Sequence, residues 1–428
     1  MTNKEALREN EATGNFKSWY MLVIGYFYFG QGYSLASMVL LLPLYMKDEL
    51  EIGSYSRSIV ISAIIIFPWY FKVVFGIITD NYPIGKYGRR KPYLIISTLF
   101  SIIGWLTLGI HNSVNALFIL SGISLATGSA FADSVVDGQT VELTPKNYIS
   151  RIQGIAWGSR GLGIGLTGVA SALIVDNYGW QVMFYVSSVF GISISIIALL
   201  LPQTKVTQNQ PGEDKQIVMS LKKILMNDKS TKQLSYFFFS GLSLLIVPLL
   251  SIIMRDEFDY SLTQIGYGAI TFAFGSFIGA MVNGILFDKK ESRTRIISLF
   301  VSFAVAISLG LIFPLTSLSH NLKLDLILIN RQIEFDAYQF AYFGIIGILS
   351  GSFEGYQLKI IQESSPKRYE STGFAIFTGI SNIGQLALGG VLVIYLSEIL
   401  NLSLFIPLQL TILFIAISIF PLLKLKNL

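Results

Sequence analysis

Twelve apolar runs, each near the ~20 residues needed to cross a bilayer, divide this 428-residue chain from end to end. They lie at about 19–45, 57–79, 92–110, 114–140, 150–174, 180–201, 233–254, 263–286, 296–315, 338–361, 372–396 and 402–423. Only 13% of the residues are charged, about half the share of a soluble domain. The expectation is an all-α membrane protein with twelve transmembrane helices. The first six runs end at Pro202 and the next six begin near Gln233. That gives a polar tail at 1–18, a six-helix half at 19–202, a linker at 203–232 and a second six-helix half at 233–428. Within the linker, Gln-Pro-Gly at 210–212 acts as a breaker, and 217–226 has the apolar spacing of a short amphipathic surface helix or an ordinary linker helix.

The halves echo each other. Glu142-Leu-Thr-Pro-Lys-Asn-Tyr-Ile-Ser150 returns 221 residues later as Glu363-Ser-Ser-Pro-Lys-Arg-Tyr-Glu-Ser371. The same offset places Asp133 on Glu354. Gly76-Ile-Ile-Thr-Asp80 ends the second run and Gly284-Ile-Leu-Phe-Asp288 the eighth, each before a basic loop. Doubled bundles that rock about a central site are a common design of secondary transporters.

With both termini cytoplasmic, the inside segments carry 24 of the 31 Lys and Arg and the outside loops five. This fits the positive-inside rule and accounts for the net charge of +5 without a nucleic-acid partner. No signal peptide is visible, since the first run is too long for one. Cysteine is absent, which excludes disulfides, thiolate metal sites and cysteine nucleophiles. No phosphate-binding G-x-x-x-x-G-K-[ST] string occurs, and His111 and His320 are far apart. An enzyme has no visible machinery here, and no cofactor or metal is expected. The glycines from Gly154 to Gly168 lie inside a run with no strand before them. They read as a packing face rather than a nucleotide loop.

The last two Lys and Arg, Lys72 and Arg160, lie inside runs, as do Asp133, Asp137 and Glu354. Charges at such depth are costly and are functional candidates by default. Asp133 and Arg160 each lie about 12 residues from the turn at 145–148, or ~18 Å at ~1.5 Å per residue. Lys72 and Asp137 lie one turn nearer the cytoplasm. Two layers are expected, Asp133 with Arg160 and Asp137 with Lys72. They are either structural ties or a site where Arg160 or Lys72 receives an anion while the released carboxylate takes a proton. Glu354, with no Lys or Arg of the second half at its depth, is either a proton carrier or an acid hydrated by the central cavity or hydrogen-bonded to Tyr356 or Gln357. Tyr26, Gln31 and Tyr33 of the first run, with Asn382 and Gln385 of the eleventh, line the cavity or pack.

The two G-x-x-x-D strings followed by basic turns resemble the cytoplasmic signature of the major facilitator superfamily. That resemblance implies its fold of two pseudo-symmetric halves, and a cytoplasmic gate of Gly76, Asp80, Gly88, Arg89, Arg90, Glu142, Gly284, Asp288, Glu363 and Lys367. Trp69, Lys72, Gly76 and Asp80, then Pro83-Ile84 and Arg89-Arg90-Lys91-Pro92-Tyr93-Leu94, resemble the folate–biopterin transporter family within it. Asp133, Asp137 and Glu142 are similar to that family's acidic fourth-span motif. The same loop also resembles sugar–cation symporters. The implied function is proton-coupled transport of a folate- or pterin-like organic anion by alternating access. The alternatives are a sugar–cation symporter, a drug-type exporter, or a non-transporting membrane scaffold. The expected partners are a small-molecule substrate, protons and the bilayer. The expected form is a monomer in the plasma membrane.

Overall fold

In the computed structural model, residues 16–52, 55–202, 228–243, 262–289, 293–310, 323–328, 331–365, 369–389 and 405–425 are described, with positions 392, 396 and 400. The tail before 16, most of the linker, the 217–226 helix, His320 and Lys367 lie outside the described residues. Helix lies on all twelve apolar runs. Five helices are long and apolar enough to cross a membrane among the described residues: Trp19–Lys47, Lys91–Leu108, Ala116–Leu143, Leu173–Ala198 and Gln264–Leu286. Among the described residues, strand occurs in one hairpin, β1 (Lys323–Leu328) and β2 (Arg331–Asp336), paired antiparallel with Lys323 opposite Asp336. It falls between the ninth and tenth runs, where the period-two alternation of 331–336 favours a strand over a helix.

Local sequence sets the interruptions. The first run is α1 (Trp19–Ala36), a π turn at Ser37–Leu41, and α2 (Leu42–Asp48). The second is cut into α3 (Tyr55–Ile65), α4 (Phe67–Tyr70) and α5 (Lys72–Asn81). Pro68 has no N–H to give and crowds the carbonyl four residues back, so the helix breaks at Ile66, and a second break at Phe71 makes Lys72 the first residue of a new segment. Next come α6 (Lys91–Leu108), with Pro92 in its first turn, and α7 (Ala116–Leu143), capped by the Asn115 side chain on Phe118 N–H at 2.9 Å. Both are favoured ways to start a helix. The fifth and sixth runs form α8 (Ile149–Ala198), two helical segments that meet at Gly179, whose φ of 83° suits only glycine.

The remaining helices are α9 (Asp228–Ser243), α10 (Leu262–Lys289), α11 (Arg293–Gly310), α12 (Ala337–Ser364), α13 (Glu370–Asn382) and α14 (Phe405–Leu425). The apolar core forms three clusters. Two are built from buried residues between Tyr20 and Leu201, and one from residues between Tyr236 and Leu422.

The glycine string of α8 packs on two sides. A side chain at Gly163 would run into the Phe29 carbonyl of α1, and one at Gly32 into the Arg160 carbonyl. On the other side, added Cβ atoms at Gly154 and Gly158 would meet Ala280 oxygen at 2.6 Å and Phe277 at 2.9 Å on α10. Small residues at such crossings let helix backbones approach closely. Gly163→Leu is therefore expected to lower stability by about 1–3 kcal/mol through overpacking. Gly168→Ala, whose Cβ would meet Gly266 at an ordinary 3.5 Å, is expected to change little. Thermal unfolding of the purified protein compares the two.

Candidate functional site

Lys72 opens α5 directly beside α7. Its Nζ lies 2.5 Å from Asp133 Oδ2 and 3.0 Å from Asp137 Oδ2, and all three residues are at most 2% exposed. Asp133 and Asp137 are one helical turn apart, so one ammonium reaches both. The outer oxygens are taken from α1, with Gln31 Nε2 donating to Asp133 and the Tyr28 hydroxyl donating to Asp137. Two carboxylates around one cation leave this layer with a formal charge of −1. Every member is hydrogen-bonded, as buried charge requires. The expected pairing of Asp133 with Arg160 is not formed. The break at Phe71 starts α5 at Lys72, and that lysine lies between both acids.

Arg160 instead lies against aromatic rings, its guanidinium 4.4 Å from the Trp157 ring centroid and 5.9 Å from that of Trp69. Among the described residues it forms no ion pair, and its Nε has no hydrogen-bond partner. Trp69 Nε1 and Gln31 Oε1 are buried and unpartnered as well. The Gln31 amide is oriented by its donation to a carboxylate, which fixes its oxygen as the free end. Asn382 of α13 donates to the Trp69 carbonyl at 3.4 Å, and Gln385 lies in the π turn Ile383–Leu388 that follows.

Tyr26 and Tyr33 turn elsewhere. Their hydroxyls meet Ser193 Oγ at 3.0 Å and Ser187 Oγ at 2.6 Å, both in the part of α8 after Gly179. The residue missed in the sequence is Tyr28, and its signal was present. It sits three positions before Gln31, on the same helix face.

Glu354 of α12 is 6% exposed and accepts from the Ser350 hydroxyl at 2.8 Å. The hydrogen bond is to Ser350 rather than to Tyr356 or Gln357.

At the basic end of the bundle a second cluster forms. Arg90 is fully buried and uses its whole donor fork. Nε donates to Glu142 at 3.1 Å, Nη1 to the Thr79 hydroxyl at 3.0 Å and Nη2 to Asp80 at 2.9 Å. Arg89 pairs with Glu142 at 2.7 Å and Glu370 at 3.4 Å. Burial opposes the Arg90 charge, but Glu142 and Asp80 outweigh it and hold its pKa above the ordinary value. The other oxygen of Asp80 accepts from Thr372 N–H and Oγ1, both at 2.7 Å. Thr372 is in the first turn of α13, where backbone N–H groups lack helical partners and the dipole favours an anion. Asp80 thus caps a helix nearly 300 residues away. Gly76 permits the approach, since a Cβ there would meet Thr372 Cα at 2.8 Å. Gly88, at φ 77°, shapes the turn that presents Arg89 and Arg90.

The second copy of the motif does not join this cluster among the described residues. Glu363 turns to Lys359 on its own helix at 3.7 Å, and Glu370, seven residues on, supplies the acid that meets Arg89. Gly284 is a packing glycine against the Ser150 carbonyl of α8 at 2.7 Å. The side chain of Asp288 lies outside the described residues.

The sequence matches the Major Facilitator Superfamily over residues 22–384 and again over 233–426. It is 28% identical over 212 residues to a folate-biopterin transporter of Synechocystis sp., covering 48% of this chain and 42% of that one. Over 278 residues it is 26% identical to folate transporter 2 of Plasmodium falciparum, covering 61% and 58%. Over 99 residues it is 36% identical to folate transporter 1 of the same organism, covering 23% and 19%. The matched part is thus less than two thirds of each of these relatives' own length. With a helical bundle, charges held in its interior and a match running through most of the sequence, the chain belongs to the Major Facilitator Superfamily of integral, multi-pass membrane transporters, which are not enzymes.

Proposed function

We propose that this chain is a secondary carrier for a folate- or pterin-like organic anion, working by alternating access and coupled to protons. The observation that carries the reading is Arg160. Lys72 is already shared by two carboxylates, whereas Arg160 forms no ion pair among the described residues and can accept an anion. A guanidinium binds a carboxylate in a planar, two-point geometry that an ammonium cannot match. Its neighbours Trp157 and Trp69 offer flat apolar faces, and the unpartnered Trp69 N–H and Gln31 oxygen offer one donor and one acceptor. A planar heteroaromatic acid with polar ring edges fits such a set. The names of the folate-transporting relatives support the same substrate class.

Proton coupling is supported by charge. Lys72 is outnumbered by the two carboxylates it serves, Asp133 and Asp137, so this layer already has an excess of one acid before an anion enters. The sealed cluster around Arg90 and Asp80 supports a state closed at the basic end. In this reading the halves 19–202 and 233–428 rock about the central charges. The protein acts as a monomer in the plasma membrane, with both termini cytoplasmic.

Uptake of labelled folate and biopterin into proteoliposomes tests the proposal. The expected result is accumulation driven by a proton gradient and lost in Arg160→Gln by at least about a hundredfold, the scale of one buried charge-assisted contact. Folded wild-type protein that moves neither compound under any gradient rejects the substrate class.

A further inference from the structure

α1 holds Gln31 between two glycines, and both are crossing points. A Cβ at Gly30 would run into Ile194, and one at Gly32 into the Arg160 carbonyl, both on α8. The backbone on either side of Gln31 is therefore pinned against two segments of one neighbour. A side chain that leaves from a fixed point on a helix keeps its geometry better than one on a loop.

The amide itself is held one way round. Its Nε2 donates to Asp133 Oδ1, while Asp133 Oδ2 takes Lys72 Nζ at 2.5 Å. A carboxylate paired with an ammonium accepts hydrogen bonds and has no proton to give. Only the NH2 end of Gln31 can face it, so Oε1 points away. Gln31 is 4% exposed, and no group among the described residues donates to that oxygen. A free glutamine can offer either end, whereas this one is an acceptor alone.

Contacts lead from Gln31 to the proposed anion anchor. Lys72 Nζ and Arg160 Cζ lie 6.0 Å and 5.9 Å from the Trp69 ring centroid. Gln31, Asp133, Lys72, Trp69 and Arg160 thus form one connected chain, and α1 meets Arg160 again at Gly32. The two other unanswered atoms on this chain, Arg160 Nε and Trp69 Nε1, are donors. Gln31 is the member that calls for a hydrogen.

We infer that Gln31 is a specificity-determining residue of this site: its oxygen takes an N–H of an amino group borne by the substrate's ring. Asp133 is its positioning residue, acting through the amide it orients. An aminopteridine answers the oxygen, and the same ring with hydrogen in place of the amino group leaves it bare. This inference rests on the folate- and pterin-like substrate class proposed above and adds the feature by which the site tells one such ring from another.

The test reads a ratio of affinities. Labelled folate bound to the purified protein is displaced with pterin-6-carboxylate or with its analogue lacking the 2-amino group, both of which keep a carboxylate for Arg160. In wild type the amino compound is expected to act at concentrations at least about tenfold lower, the scale of a buried acceptor left unanswered. In Gln31→Met, similar in volume and without the amide oxygen, the two are expected to fall within about threefold of each other. Asp133→Asn keeps Gln31 but can donate as well as accept, so the amide is free to turn and the preference is expected to fall to about the same level. Asp137→Asn also removes one carboxylate from Lys72 yet leaves the Gln31–Asp133 bond, and is expected to keep the preference. Equal displacement in wild type, or a preference that persists in Gln31→Met, overturns the role of Gln31 and leaves the substrate class standing. An equal fall in Asp133→Asn and Asp137→Asn overturns the orienting role of Asp133. Folded wild type that binds no folate rejects the substrate class and the inference with it.

Discussion

Arg90→Ala is expected to open the basic end of the bundle. Arg90 ties Asp80, Glu142 and Thr79 together, and Asp80 in turn caps α13 through Thr372. Without the guanidinium, carboxylate oxygens of Asp80, Glu142 and Glu370 remain within 4.8 Å of one another. Breaking a buried ion pair by removing one partner costs about 3–5 kcal/mol. The repulsion is relieved when α13 withdraws from α5 and α7, which is the motion that opens the seal. The chain has no cysteine, so Ser371→Cys gives a single reporter in the seal, where Ser371 now contacts Thr79 and Ser134. A membrane-impermeant maleimide is expected to label it at least about tenfold faster in Arg90→Ala, a modest share of the free energy removed. Arg90→Lys is expected to lie nearer the alanine variant, because a point charge on a flexible stem cannot serve three partners at once. Equal labelling in all three backgrounds rejects the seal.

Lys72→Met is expected to destabilise the protein by about 3–5 kcal/mol, the scale of an uncompensated buried charge. The substitution leaves Asp133 and Asp137 one turn apart and buried, with only Gln31 and Tyr28 to answer them. Lys72→Met combined with Asp133→Asn and Asp137→Asn is expected to recover most of the loss, since no bare charge then remains. Thermal unfolding in detergent reads both. Recovery in the triple variant shows that charge matching, rather than the volume of the lysine, holds α5 to α7. A single variant as stable as wild type means that the two acids are already neutral.

The residues of both clusters were legible because charge is rare in apolar runs. Lys72, Asp133, Asp137, Arg160 and Glu354 stand out in a chain with so few charges, and the doubled G-x-x-x-D and E-x-x-P-K strings marked the basic end. Helical periodicity also gave the shared face of Asp133 and Asp137 and the packing role of the α8 glycines. Depth along a run was readable too, because rise per residue is fixed.

Partnership was decided by tertiary structure alone. Depth matching assigned Arg160 to Asp133, yet rotation about each helix axis and the break at Phe71 put Lys72 between both acids. Glu354 is answered by Ser350 on its own helix, while Lys359 of the same helix turns to Glu363. Of the paired motifs, one copy seals the basic end with Glu370 and Thr372, and the other sends Glu363 to Lys359. Local sequence determines where a helix starts, how deep a charge sits and which face it shares. Which neighbour answers that charge depends on how helices distant in sequence turn and cross, and those crossings are set by glycine contacts such as Gly32 with Arg160 and Gly351 with Ser276.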